Sequence, residues 1–487
     1  MSFFHGVRTT ETPTSILPPA PCEAAVPVYF GTAPVHRTGG KTNEPVLAEA
    51  YDDAVLALGY DDDWRTWTLG ENVYSQFALF AMAPAVFVNV FDPAVHKKDV
   101  ASETVTLTQG VGRTAVGEVI LSTLTVKSAD GATTYARGTD YSVSYDAAWR
   151  ASIVRKATGT IPAEATALQV GYSYADPSLV TKSDLIGGID PVTGKEEGLE
   201  AVERVFPKFR LVPGILVASG WSHLPEVAAV LAAKCTGING IFRAVCFVDI
   251  PCDGDGPKQY GAVPEWKNLK NLTDPMQYAL WPMIRLGERE YHLSSQMAAL
   301  TQWVTHWEGK DVPYCSPSNH LLRMDSVIAG EPGARESLLL GLSKANYLNE
   351  NGVTTALNWI GGWKSWGNRT ACFPAVTDPK DCFLPIRLMF DWVESSFILT
   401  FWQKVDRPIT RRLVETIVDS FNDFLNGLRA QEALLGGRIE FRKQDNPVTD
   451  LMSGKLKFKI FLTPPPPAEE ISADFEFDPD AFEALFG

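Results

Sequence analysis

Four apolar runs alternate with helical patterns between Gly214 and Trp359, and this alternation constrains the fold more than any other feature. Gly214–Ser219, Phe242–Ile250, Ala279–Leu286 and Val353–Trp359 read as strands. Leu224–Cys235, Leu293–Trp307 and Glu336–Asn349 read as helices between them, with Pro225 suited to a first turn. Phe242–Ile250 is almost continuously apolar, as a strand is when both faces of its sheet are covered. The pattern predicts a mostly parallel sheet with crossover helices on both sides. Upstream, Leu47–Leu58 has helical spacing, Tyr74–Met82 reads as a buried helix, and Ala85–Val90 as a buried strand. Glu197–Phe206 reads as a further helix.

The chain is long enough, at 487 residues, for about three domains. Its net charge of −15 argues against wrapping nucleic acid, which rewards clustered Lys and Arg. The longest apolar run, Phe77 to Phe91, is broken by Pro84 and Asn89 and is too short for a membrane helix. Met1–Gly6 lacks the basic start and apolar core of a secretion signal, so the expectation is a soluble protein made in a cytoplasm. Seven cysteines, with no CxxC and no histidine at finger spacing, read as reduced thiols without zinc.

Between about residues 96 and 195 the pattern changes to short β-rich runs. These are Val105–Thr108, Val119–Lys127, Tyr141–Tyr145, Ser152–Arg155 and Leu168–Tyr174, separated by turns such as Asp130-Gly131. Strands at this spacing predict an inserted β-sandwich of Ig-like type.

Beyond about Cys372 the longest helical pattern runs from Pro408 to Leu435, with Ile409, Leu413, Ile417, Phe421, Leu425 and Leu428 on one face. Asp406 stands where an N-cap would be. Arg438–Arg442 and Lys455–Leu462 follow as strands, and in the second Leu456, Phe458, Ile460 and Leu462 alternate with Lys455, Lys457 and Lys459.

Both ends of the chain read as detached segments. Phe3, His5, Val7 and Thr9 alternate with their neighbours before a proline-rich stretch; the pattern fits either a short strand or a frayed end. At the other end Pro464–Pro467 form a stiff spacer. After it come twenty residues with seven acids and no basic group. There Ile471, Ala473, Phe475 and Phe477 alternate with Ser472, Asp474, Glu476 and Asp478. A lone strand cannot satisfy its own backbone, so it must join a sheet. From Pro464 to Asp478 the chain can reach up to ~50 Å, enough for a neighbouring subunit; return to its own sheet is the alternative.

Complete catalytic motifs are missing. Thr193-Gly194-Lys195-Glu196 fails as a phosphate loop because Glu196 replaces Ser or Thr. Gly220-Trp221-Ser222-His223-Leu224 fails as a nucleophile elbow. Cys315 and His320 are close in sequence but have no further support as a dyad. Trp359, Trp363 and Trp366 suit a sugar platform or a packed inter-domain or inter-subunit contact, and the packed contact is preferred.

Trp366-Gly367-Asn368-Arg369-Thr370 resembles the WGxRT segment of contractile tail sheath proteins. His5-Gly6-Val7 resembles that family's N-terminal arm, and Tyr314-Cys315-Ser316-Pro317-Ser318-Asn319 its S-P-x-N loop. Gly454–Phe458 and Pro467–Ile471 resemble its C-terminal hairpin and arm. The resemblance spans nearly the whole chain except the β insert.

The resemblance implies a helical homopolymer of hexameric rings around an inner tail tube, with no cofactor, metal or catalysis and no insertion into a membrane. Arms from neighbours would join the hairpin sheet, and contraction would drive the tube through an envelope. Baseplate and tail terminator proteins would be the other partners, and the site of action a virion tail or phage-tail-like particle assembled in a bacterial cytoplasm. It further implies a helix facing the tube, for which Lys404, Arg407, Arg411 and Arg412 are the candidates. Basic groups at a helix start oppose its dipole, which suggests an acidic partner; internal pairing with Asp406 and Glu415 is the alternative.

The expected architecture is an α/β core domain (31–95 plus 196–371) with an inserted β-sandwich (Ig-like) domain (96–195). An α+β C-terminal domain (372–463) and extended N- and C-terminal arms (1–30 and 464–487) complete it. The competing readings are an α/β hydrolase-like enzyme with an Ig-like appendage and a carbohydrate-binding surface protein.

Overall fold

The structure, a computed structural model, describes residues 21–485. An eight-stranded sheet forms the centre. Its order is Pro45–Ala48, Ala85–Asn89, Pro27–Gly31, Ile215–Val217, Val245–Asp249, Gln277–Leu280, Val353–Trp359 and Gly362–Trp366. The six inner strands are parallel, and the two edge strands run antiparallel to their neighbours. Val245–Asp249 is buried along its whole length, as its unbroken apolar run requires. Helices Pro225–Cys235 and Leu293–Trp307 bury their apolar stripes in the same core.

Several expected elements divide differently. Leu47–Leu58 is a strand, Pro45–Ala48, and then a helix, Tyr51–Leu58, because the first residues pair with Ala85–Asn89. Ala279–Leu286 splits around Trp281-Pro282, since Pro282 has no N–H to continue a ladder. Its second half joins a separate four-stranded antiparallel sheet with Arg289–Tyr291, Ser326–Ala329 and Glu336–Leu338. That last pairing removes three residues from the expected Glu336–Asn349 helix, which runs from Leu342 to Glu350. The Glu197–Phe206 segment is a 3-10 turn, Gly198–Arg204, leading into a short α-helix.

The β-rich stretch folds as two small antiparallel sheets, of four and three strands, over one core that includes Val105, Val126, Tyr141, Ile153 and Val170. Its strands begin at Lys97, and the last, Ala167–Ala175, returns beside the first. Val180 and Leu185 already pack into the main core, so the insert closes earlier than residue 195. The strand Pro27–Gly31 lies at the middle of the main sheet, so an arm reaching residue 30 is too long at its inner end.

The C-terminal part packs helices Leu384–Phe401 and Arg411–Ala430 against a hairpin of Gly436–Glu440 and Lys459–Thr463. Helix Arg411–Ala430 starts three residues later than Pro408. Thr410 is its cap, accepting from the Leu413 N–H at 3.2 Å, whereas Asp406 has a left-handed φ of 65°. Ile417, Phe421, Leu425 and Leu428 are buried as the periodicity requires, while Ile409 is exposed.

Candidate assembly site

Among the described residues, the hairpin has one closed edge and one open edge. Ile439 and Ile460 face each other across the ladder. Ile439 turns its N–H and C=O away from Ile460, onto the Asn422 side chain at 3.0 and 3.3 Å. Asn422 belongs to helix Arg411–Ala430, so that edge is sealed by its own module. By the same alternation Ile460 points its N–H and C=O outward on the Lys459–Thr463 side, where the sheet ends. The expected strand from Lys455 joins the ladder only at Lys459. Before it, Asn446 takes both the N–H and C=O of Lys457 at 2.8 Å, in place of a strand partner. Phe458, Ile460 and Leu462 turn to the helices, and Leu456 is half-buried. Lys455, Lys457 and Lys459 are exposed.

The chain leaves this hairpin through Pro464, which is buried, and Pro465–Glu470 run along a groove of about 800 Å³. Loop residues Tyr314–Ser316, Ser318 and Asn319 and motif residues Trp366–Arg369 form its other walls. The two sequence motifs are therefore one structure. Gly367 N–H donates to Ser318 Oγ at 3.0 Å, and Asn319 N–H to the Ser365 carbonyl at 2.8 Å. The Ser316 hydroxyl bonds the Asn368 side chain. Trp366 Nε1 reaches Asn346 Oδ1 at 3.0 Å, and Thr370 Oγ1 donates to the Asp381 carbonyl at 2.6 Å. Gly367 has φ 144°, and a Cβ there would lie 2.4 Å from Thr354 Oγ1, so glycine is required.

Arg369 holds the root of the C-terminal segment. Its guanidinium lies 3.8 Å from the Phe383 ring centre and 4.4 Å from that of Phe373, and donates to Glu469 from Nε at 3.1 Å. A planar cation between two rings is pre-oriented for bidentate carboxylate binding. Past Glu469 the segment makes no strand among the described residues. Ile471, Phe475 and Phe477 are 90%, 98% and 75% exposed, and Ala473 is exposed as well. The segment does not return to its own hairpin.

The N-terminal candidates Phe3, His5, Val7 and Thr9 lie outside the described residues. The root of that end is visible: Trp392 Nε1 donates to the Cys22 carbonyl at 2.9 Å, on helix Leu384–Phe401. Burial pushes the Cys22 thiol up to about 12. Both chain ends thus depart from the C-terminal module.

Arg407, Arg411 and Arg412 are exposed, and Lys404 is half-exposed, beside the exposed Trp402. Arg411 reaches Glu415 at 2.7 Å but is 92% exposed, a pairing of little strength.

A second polar crevice, about 330 Å³, opens at the carboxyl ends of the parallel strands. Several of its groups pair with one another. Asp249 accepts from Ser294 N–H at 3.0 Å and from the Ser294 and Ser222 hydroxyls at 2.5 and 3.2 Å. Glu71 accepts from the His292 N–H at 2.6 Å and faces Nδ1 at 2.9 Å. His292 sits on Glu71 and on neither serine. His320 is held by Glu308 and the Ser318 carbonyl, each at 2.9 Å, and not by Cys315.

Sequence reading selected Arg369 and, within Pro467–Ile471, Glu469 as motif residues, but missed their pairing and missed Asn422 and Asn446.

No family model matches the chain. The tail sheath protein of Burkholderia phage BcepMu is 30% identical over a 505-residue alignment that covers 100% of this chain and 99% of the relative. The tail sheath protein of Escherichia phage P2 is 31% identical over 306 residues, 60% of this chain and 70% of the relative. Among solved structures, the PVC sheath of an extracellular contractile injection system in its contracted state aligns with a TM-score of 0.59. It is 15% identical and covers 99% of both chains. The contracted helical sheath of the anti-feeding prophage aligns at 0.57, with 12% identity over 98% of this chain and 100% of the other. The fold is shared along the full length with both, and, on the full-length likeness to the BcepMu protein, this chain belongs to the contractile tail sheath protein family.

Proposed function

We propose that the chain polymerises helically around an inner tail tube by exchanging its terminal strands with neighbouring copies, and that contraction of this polymer drives the tube through a cell envelope. One observation carries the reading. The segment beyond Glu469 keeps a strand alternation yet is exposed and, among the described residues, unpaired, while the hairpin it leaves has an edge that no described strand fills. Each main-chain hydrogen bond gained adds only about 0.5–1.5 kcal/mol, so a strand of several residues is needed for a firm joint.

The parts take roles accordingly. The α/β body (about 27–95 plus 176–371) is the rigid unit, and the C-terminal module (372–463) forms the mesh. The residues before the Pro27–Gly31 strand and residues 464–487 supply the arms, through Phe3, His5, Val7 and Thr9 at one end and Ile471, Ala473, Phe475 and Phe477 at the other. Leu456, Phe458, Ile460 and Leu462 form the acceptor. The insert, from about residue 96 to Ala175, is an Ig-like module at the outer radius, where it clears tube and mesh. Lys404, Arg407, Arg411 and Arg412 face the tube. Baseplate and tail terminator proteins bound the polymer in a virion tail or phage-tail-like particle assembled in the host bacterial cytoplasm. The role is mechanical, without catalysis, cofactor or nucleic acid.

Electron microscopy of the purified chain tests this. Hollow tubular polymers are expected from the full chain, and a folded, non-polymerising protein after removal of residues 471–487. Normal polymers from the truncation would overturn strand donation.

A further inference from the structure

In a chain of net charge −15, the outer face of the hairpin is basic. Lys455, Lys457 and Lys459 stand exposed in a row, and none pairs with a carboxylate among the described residues. Beside them, Phe461 carries the Arg438 guanidinium at 3.8 Å and the Arg442 guanidinium at 5.8 Å. Those arginines are matched by Glu440 and Asp445, each at 2.6 Å, which leaves the lysines as the unmatched charge. The C-terminal segment is the reverse case. Asp474 and Glu476 are exposed and have no ion pair among the described residues. They alternate with Ile471, Ala473, Phe475 and Phe477 at the same two-residue step as the lysines alternate with Leu456, Phe458 and Ile460. In strands that step places like-facing side chains about 6.6 Å apart, so the two rows have equal pitch in either strand direction.

We propose that the lysine row Lys455, Lys457 and Lys459 is the docking strip for the acidic face, Asp474, Glu476 and Asp478, of a second copy's C-terminal segment laid antiparallel to it, with Asp474 opposite Lys459 and Glu476 opposite Lys457. The C-terminal segment, not the N-terminal one, then lies directly on the open edge, in a register set by charge. This rests on the strand-donation reading above and adds which arm, which face and which register. Residues 3–10 carry Arg8 and no carboxylate, so they are the poorer match to a lysine row. A slip of one residue would put Phe475 against lysine and Asp474 against Ile460 or Phe458 over the helices, which disfavours every neighbouring register. Opposite charges directly across a ladder stabilise it, and like charges destabilise it.

The experiment is polymer formation by sedimentation, with the full chain and three variants. Lys457→Glu with Lys459→Glu, and separately Asp474→Lys with Glu476→Lys, should each raise the critical concentration about tenfold or more. The four substitutions together should return it to within about threefold of the starting chain. Raising salt from about 50 mM to about 500 mM should weaken assembly of the unmodified chain and leave the four-fold variant equally sensitive. The arm-side pair lies in a segment without tertiary contacts, so its effect is independent of folding of the body. Unchanged assembly by either reversed pair, or failure of the combined variant to recover, overturns the charge register. Removal of residues 471–487 separates the two ideas. Lost assembly on truncation with indifferent charge variants leaves donation standing and refutes the lysine strip; normal assembly of the truncation refutes donation itself.

Discussion

Arg369 and Glu469, a hundred residues apart, form a clamp whose cation is stacked between Phe373 and Phe383. The clamp fixes where the acidic segment begins; beyond it Ile471–Asp478 are exposed and form no strand among the described residues.

Loss of the clamp should free the start of the segment and leave the fold intact. In Arg369→Ala the carboxylate loses its partner, and in Arg369→Lys the charge stays but the planar fork and its stacking go. Both should leave the unfolding temperature within a few degrees, speed proteolysis of residues 465–485, and raise the critical concentration for polymers about tenfold. Limited proteolysis and sedimentation check this; a protected tail in Arg369→Ala would refute the clamp.

Asn422 seals one hairpin edge. Asn422→Ala leaves both backbone groups of Ile439 without a protein partner, at a cost of about 2 kcal/mol in urea unfolding. It also exposes a second strand edge, so irregular aggregates should appear beside tubes in micrographs. Unaltered stability and clean tubes would show that the edge needs no guard.

His292 makes stability depend on pH in a defined direction. Burial alone would lower its pKa, but the Glu71 carboxylate, with Asp249 behind it, raises it to about 9 against the opposing charge of Arg335. An unfolded histidine titrates near 6.5. A folded value above the unfolded one gives stabilisation that is complete below about pH 6.5 and is lost as pH rises through about 9. The stability gap between the unmodified chain and His292→Gln should thus be widest near pH 6 and shrink toward pH 9.5. Chemical denaturation across that range measures it, and a gap that widens with pH would contradict the pairing with Glu71.

The basic start of helix Arg411–Ala430 offers a test of tube contact. Arg411→Glu with Arg412→Glu touches two exposed side chains and should change stability by under about 0.5 kcal/mol. Co-assembly with an inner tube protein should weaken several-fold, more so at low salt. Pull-down of tube and sheath together reads this out; undiminished co-assembly would move the tube contact elsewhere.

The elements legible in the sequence were those whose burial is local and periodic. Leu293–Trp307 and Val353–Trp359 begin and end where their patterns do, because each buries a continuous face in the central sheet. Glu336–Leu338 was hidden because its strand state depends on pairing with Ser326–Ala329 and not on its own residues. The motif around Trp366–Thr370 could be marked, but its contacts to Ser316, Ser318 and Asp381 are settled only when three loops meet. Asn422 looked like an ordinary polar residue on an amphipathic helix. Its role exists only because Ile439, seventeen residues on, lies in a strand that passes beside it.

The four prolines between the hairpin and Glu469 bear on how a sheath could transmit force. Each fixes its own φ near −65°, and four in a row span roughly 12 Å with little compliance. A glycine-rich tether of that length would stretch before it pulled, and neighbouring copies would move out of step. A rod of prolines anchored at one end by the hairpin and at the other by Arg369 has almost no slack, so a pull on the segment beyond Glu469 would reach the hairpin with little loss of stroke.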